Sequence, residues 1–239
     1  MSTSRLQLSS VCVALLLAAL PSLARAQQAL GGRGSSLGIH GQISQPKGDF
    51  ADNTGTGWGL GIYALGGLDE NNIINLRGDF SFVNYANTRR RIPFSGTGGL
   101  ISLDLKTSSN IFTVVAGPQL LGPTGTFSPY ATLLGGFSVF VTESTIEGSN
   151  YSDQPFASST NSSDFVWSYG GAVGAYLRVS GGATPVRLDF GARFLRHDDV
   201  HYLNDQRVRE AFDNDRPPVP LQGRADLVQW YLGVNIGMR

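Results

Sequence analysis

The sequence predicts an all-β protein: eight antiparallel strands running up and down and closing into a transmembrane barrel. Three observations predict it. Segments of about ten residues alternate apolar with polar side chains, the pattern of strands with one apolar face. The seven connections between them alternate long, short, long, short, long, short, long, the rhythm of a membrane barrel with short turns at one end and longer loops at the other. Trp58, Trp167 and Trp230 all fall near the long-loop ends of their strands on the apolar face, as an aromatic girdle at a membrane interface requires.

The first residues form a separate element. Met1 to Ser10 carry one positive charge, Arg5; Val11 to Leu20 are an apolar run; Pro21 and the small-residue pattern Ala24-Arg25-Ala26 close the segment. This reads as a signal peptide, residues 1–26, cleaved after Ala26. The competing reading is a buried amino-terminal helix. The apolar run is too short to span a bilayer, and Cys12 lies upstream of where a lipidated cysteine would sit. Removing Arg5 and Arg25 takes the 18 basic side chains to 16 against 18 acidic ones, a near-neutral balance that makes no case for a nucleic-acid partner. With the single cysteine gone, disulfides, thiolate metal sites and a cysteine nucleophile are excluded. No later apolar run is long enough for a membrane helix, so insertion in lipid has to use strands closed into a barrel.

Residues 27–35 read as a flexible lead-in and 36–239 as the barrel. The first strand, about 36–44, sets Leu37, Ile39 and Ile43 against His40, Gln42 and Ser44; a loop full of turn formers follows. The second, 58–68, sets Trp58, Leu60, Ile62 and Ala64 against glycines and Tyr63, and ends in a tight turn, Asp69 to Asn72. The third, 73–86, has Ile74, Leu76, Phe80 and Phe82 on one face and Asn75, Arg77, Asp79 and Ser81 on the other. A long segment, 87–109, containing Arg89, Arg90 and Arg91, leads to the fourth strand, 110–120, with Phe112, Val114, Ala116 and Leu120 on its apolar face. After a short connection the fifth, 129–142, presents Ala131, Leu133, Phe137, Val139 and Val141. A polar loop, 143–164, has no apolar period. The sixth strand, 165–179, places Trp167, Tyr169, Val173, Ala175 and Leu177 opposite Ser168, Tyr176 and Arg178. The seventh, 186–195, alternates Val186, Leu188, Phe190, Ala192 and Phe194 with Arg187, Asp189, Gly191 and Arg193. The longest connection, 197–225, precedes the eighth, 226–238, which sets Trp230, Leu232, Val234, Ile236 and Met238 against Tyr231, Gly233, Asn235 and Gly237. A soluble sandwich also alternates, but it has no reason to sort its loops by parity.

Several stretches carry a family likeness: SQPKGDFAD, AGPQLLGPTGTFSPYATLLGG, VRLDFGARFLR and YLGVNIGM. Together they resemble the bacterial outer-membrane protein beta-barrel family, the small eight-stranded barrels of OmpA, OmpX and OmpW type. The resemblance covers nearly the whole mature chain and implies a bacterial outer-membrane location, with outer-membrane lipids, lipopolysaccharide and the barrel assembly machinery as partners. Its motifs specify fold far better than activity. One departure is that such barrels usually end on an aromatic residue, whereas the last residue here is Arg239.

An eight-stranded barrel is only wide enough inside for side chains to fill it. Arg77, Asp79, Arg178, Arg187, Asp189 and Arg193 are therefore read as an internal network in which arginine forks bond carboxylates across the lumen; the alternative is a charged pore constriction. His197, Asp198, Asp199 and His201, at the rim, have the residue types for proton transfer or metal binding, but residue type without matched geometry is weak evidence, and a solvated loop is preferred. Arg89, Arg90 and Arg91 sit where lipopolysaccharide phosphates would lie, chemistry that suits arginine; a solvated charge cluster is the plainer reading. The glycine-rich turns have no following helix to cradle a phosphate. No catalytic residue, metal site or cofactor is expected. The leading functional expectation is a non-enzymatic outer-membrane barrel serving envelope structure or surface interaction, its external ligand unspecified. Passage of small hydrophobic molecules through the wall is the alternative, and an outer-leaflet enzyme using the rim residues the weakest.

Overall fold

The computed structural model describes residues 34–93, 102–123, 125–148, 157–182, 184–202 and 221–238. Residues 1–33, which include the expected signal peptide and most of the expected lead-in, and Arg239 lie outside them. The barrel strands are β1 (Ser35–Lys47), β2 (Gly57–Gly67), β3 (Ile74–Pro93), β4 (Ser102–Leu121), β5 (Phe127–Gly148), β6 (Ala157–Ser180), β7 (Val186–His197) and β10 (Asp226–Met238). All neighbours are antiparallel, and β1 pairs with β10 to close the ring. The eight predicted strands are these eight.

Three features lie outside the alternation. A five-residue helix, α1 (Asp49–Asn53), follows β1, and its start relies on Gly48 at φ 58°, a left-handed conformation that glycine adopts without a Cβ clash. Two short strands, β8 (Asp199–Tyr202) and β9 (Leu221–Arg224), pair as a ribbon within the β7–β10 connection. The strands β3 to β6 also run well past their predicted long-loop ends, pairing Arg91 with Asp104, Asp104 with Glu147, and Ile146 with Ala157. The added residues are mostly polar and have no lipid to satisfy, so they need ladder hydrogen bonds but no apolar alternation. Bulges at Asn84/Ala86 and Thr142/Glu143 mark where the extensions begin. At the first, the Asn84 amide reaches Asn110 Oδ1 at 2.8 Å and Ser108 Oγ at 3.0 Å, filling the break in the ladder.

The wall is apolar outward. Leu37, Ile39, Ile43, Leu60, Ile62, Leu133, Val173 and Leu232 are exposed, while Arg77, Asp79, Asp189, Arg193 and Gln119 are buried inside. That is the inverse of a soluble sheet and the arrangement lipid demands. Replacing Phe190, exposed on the outer face of β7 beside the Phe127 ring, with arginine should cost about 2 to 4 kcal/mol near the bilayer midplane. Unfolding of the inserted barrel measures this, and an unchanged midpoint would mean the outward face is misassigned.

The register sets the strand slope. Following partners from Ile43 through Trp58, Asn84, Asn110 and Val141 leads to Ser163 on β6; the other way, through Trp230 and Ala192, leads to Val173, ten residues further on. Strands of a closed barrel must tilt and stagger in this manner. The level of Ile43 on the far wall therefore falls between Ser163 and Val173, and Trp167 lies in that interval. Trp58 and Trp230 both register with Ile43, and all three tryptophans face outward, Trp58 and Trp167 at 63 % and Trp230 at 54 % exposed.

At the opposite end, Asp69 organises the β2–β3 turn: its carboxylate accepts from the backbone N–H of Ile74 at 2.7 Å and of Asn71 at 3.1 Å. The Ile74 N–H, with the other turn amides, holds this carboxyl below the usual carboxylate range. A depressed folded pKa means the turn is tightened above the ordinary range and loosened as pH falls through the depressed value. Amide exchange at Ile74 should accelerate there, and Asp69→Asn should abolish the pH dependence while leaving the barrel folded.

Candidate functional site

The interior is arranged in layers along the axis. Nearest the short turns, Arg77 on β3 is the hub. Its Nε and Nη2 reach Asp79 Oδ2 at 3.2 and 3.1 Å, Nη1 reaches Gln119 Oε1 at 3.3 Å, and Nη2 is 3.9 Å from Asp189 Oδ2. Its guanidinium lies 3.9 Å from the Tyr63 ring centre, within cation–π range. Arg193 crosses from β7 to the same Asp79 oxygen at 2.9 Å. β3 and β7 stand four strands apart in a ring of eight, on opposite walls, so this bond spans the lumen. Tyrosines close the layer. Tyr130 Oη donates to Asp189 Oδ1 at 2.6 Å, which leaves its oxygen to accept from Tyr231 Oη at 2.7 Å. Gln119 Nε2 donates to Tyr176 Oη at 3.3 Å, and the Tyr130 and Tyr176 rings stack at 4.7 Å.

Four of the six predicted lumen residues, Arg77, Asp79, Asp189 and Arg193, thus meet in one buried cluster with two positive and two negative charges. Arg178 does not join it. It registers opposite Arg187, a like-charged cross-strand pair that is unfavourable when enclosed, and it turns out to solvent at the short-turn end. Arg187 stays half-buried, 5.9 Å from the Tyr176 ring centre. The tyrosines and Gln119 complete the cluster although the sequence reading gave them no role. Their signal was parity: each shares the inward face with a charged residue or a glycine.

Further toward the long loops lies a hydroxyl and histidine layer. His197 Nδ1 contacts the Ala225 carbonyl. A carbonyl only accepts, so Nδ1 holds the proton and Nε2 accepts from Ser138 Oγ at 3.1 Å. Ser138 in turn meets Ser168 and Thr113, both at 2.8 Å. Above this lies an apolar plug: Phe50 of α1 and Val200 of β8, both 0 % exposed, pack with Val83, Tyr85, Ile111, Phe140, Val166, Ala225 and Leu227. No sequence period marks Phe50 or Val200, because both sit in connections.

The rim segment divides. His197 turns into the barrel, whereas His201 is exposed and pairs with Asp164 of β6 at 3.0 Å, its backbone N–H also bonding that carboxylate at 2.6 Å. Asp198 and Asp199 are exposed. Among the described residues no group of three or more His, Cys, Asp or Glu side chains is placed to hold a metal ion. Arg89, Arg90 and Arg91 lie on the β3 extension, registered with Lys106, Leu105 and Asp104; their side chains fall outside the described residues.

Among known structures, the chain is similar to Neisserial surface protein A, with 10 % identity, 84 % of this chain and 96 % of that one covered, and a TM-score of 0.43. It is also similar to Ail, the attachment invasion locus protein of Yersinia pestis, with 19 % identity, coverage of 86 % and 99 %, and a TM-score of 0.39. A major outer membrane protein from Thermus thermophilus follows at 10 % identity, coverage of 85 % and 99 %, and a TM-score of 0.29. No curated protein matches. The family model for the outer membrane protein beta-barrel domain matches residues 10–217, most of the chain, and this protein belongs to the outer-membrane protein beta-barrel family.

Proposed function

We propose that this barrel serves envelope structure and surface interaction, is not an enzyme, and does not use its lumen as a solute path. The observation that carries this reading is the stacking of a charged tyrosine layer, a hydroxyl and histidine layer and the Phe50–Val200 plug along one axis. A path through it would have to break buried ion pairs and displace packed apolar side chains together. The long-loop end then faces outward, and the β3–β4 and β5–β6 extensions are the working surface. The chain reaches the outer membrane after cleavage of residues 1–26 and is inserted by the barrel assembly machinery. Planar-bilayer recordings of the purified protein test the closed lumen: a silent bilayer is expected, and steady unitary channels would overturn the reading.

The arginine run on the β3 extension lies beyond the level of Trp58, which registers with Asn84. In this reading it contacts lipopolysaccharide phosphates. The triple variant Arg89→Ala, Arg90→Ala, Arg91→Ala should weaken lipopolysaccharide binding and flatten its salt dependence, since these contacts are screened by salt. Unchanged binding in low salt would count against it.

A further inference from the structure

At the short-turn end of the lumen, Arg178 on β6 is the register partner of Arg187 on β7, and Arg187 is in turn the partner of Asn235 on β10. Like charges directly opposite each other on neighbouring strands repel. Neither guanidinium has an ion pair or a side-chain hydrogen bond among the described residues; the half-buried Arg187 has only the Tyr176 ring, 5.9 Å from its centre. The carboxylate that follows Arg187 on the inward face of β7 is Asp189, and it is engaged by the Tyr130 hydroxyl at 2.6 Å and by Arg77 at 3.9 Å. The β4–β5 and β6–β7 turns beside the pair contain no acidic residue. Asp69 and Glu70 lie across the mouth on the β2–β3 turn, where Asp69 is spent on its own backbone N–H groups. The pair is therefore a local excess of positive charge with no counter-charge from the strands or turns beside it. A second observation lies next to it. Asn235 is 0 % exposed; its Nδ2 donates to Ser36 Oγ at 3.0 Å on β1, and its Oδ1 has no partner. An amide oxygen only accepts, so this buried atom needs a donor.

From this juxtaposition we propose that Arg178, Arg187 and Asn235 form a binding site for an oxyanion that carries its own hydroxyl group, either monohydrogen phosphate or the glycerol phosphate headgroup of a lipid. The residue types decide the ligand class. A guanidinium presents planar N–H donors that match the oxygens of a phosphate group, and two of them facing each other hold one anion between them, which turns their repulsion into shared attraction. The hydroxyl of the ligand then donates to Asn235 Oδ1. Sulfate satisfies the arginines but has no proton for Asn235, chloride offers neither paired oxygens nor a donor, and a cation is repelled. Free phosphate reaches the site along the barrel axis. A headgroup reaches it from the rim, because Leu177 and Val179, on either side of Arg178, are exposed on the outer wall where lipid lies. On the orientation proposed above, both sources are on the periplasmic side. The site stands apart from the long-loop surface and from the closed layers of the lumen.

The test uses the intact barrel in nanodiscs of neutral phosphatidylcholine, with the guanidinium Cζ resonances of Arg178 and Arg187 assigned by their loss in Arg178→Lys and Arg187→Lys. Inorganic phosphate should move both resonances saturably, and sulfate should do so only at higher concentration. Arg187→Gln should lower phosphate affinity by about tenfold or more, the loss for removing a hydrogen bond to a charged group. Asn235→Leu should remove the preference for phosphate over sulfate while the barrel stays folded; the comparison of the two anions on the wild-type protein decides the same point if that variant does not fold. Phosphatidylglycerol added to the nanodiscs separates the sources. A shift of the same two resonances, reversed by free phosphate, assigns the site to a lipid headgroup, and a shift with inorganic phosphate alone assigns it to the free anion. Shifts that chloride reproduces, or no saturable shift with either phosphate or phosphatidylglycerol, would overturn the site. Sulfate binding as tightly as phosphate would overturn the ligand class.

Discussion

Replacing Arg77 with leucine should destabilise the barrel by about 3 to 5 kcal/mol, the range for removing one partner of a buried charge pair. The substitution deletes the bonds to Asp79 and Gln119 and the weaker approach to Asp189. Asp79 keeps Arg193, but Asp189 keeps tyrosine hydroxyls, Tyr130 at 2.6 Å among them, and loses the approach of Arg77 in a layer closed by four tyrosine rings. Most of the cost is this stranded negative charge rather than the net worth of the original pair. Urea unfolding in micelles reads the loss, and adding Asp189→Asn to Arg77→Leu should recover part of it, because the two residues are coupled. Arg178→Leu is the internal control: exposed at the short-turn end, it should stay within about 0.5 kcal/mol of the parent. If Arg77→Leu behaved like Arg178→Leu, the central role given to Arg77 would be wrong.

Phe50→Ala should cost about 3 to 5 kcal/mol at the plug, as for other buried phenylalanines. The Phe50 ring packs 5.4 Å from Tyr85 and 6.1 Å from Phe140, which in turn meets the His197 ring edge-on. Because α1 and β8 belong to connections rather than the wall, the loss should appear as local opening before the strands yield. Amide exchange at Ala51 and at Val200 should accelerate together, while inward-facing positions of β3 and β7 keep their protection. Acceleration at Ala51 alone would show that α1 and β8 do not share one plug. Loss of protection around the whole barrel would show that the plug holds the wall closed.

Period-two alternation was enough to mark all eight wall strands and their facing, because lipid tolerates no polar side chain on one face of each strand over the span of the bilayer. Where that pressure ends, legibility ends with it. The extensions of β3 to β6 carry mostly Ser, Thr, Asn and charged residues; a short alternation survives at Leu103 and Leu105 on β4, and most of the rest appears only as hydrogen-bonded ladder. The ribbon β8–β9 and the helix α1 are too short to show a pattern. Arg178 shows the limit within the wall itself: its parity assigned it inward, but parity does not say how far along the axis a residue lies, or that Arg187 faces it directly.

Residue spacing alone therefore determined the fold class and the direction of each face, since these follow from the two-residue period and the need to satisfy lipid. Which inward residues meet was decided only by closure. Arg193 reaches Asp79, and His197 reaches Ser138, across walls whose relative heights depend on the ten-residue stagger of the ring. That stagger arises from hydrogen-bond register summed over all eight strands, a property no single stretch of sequence contains.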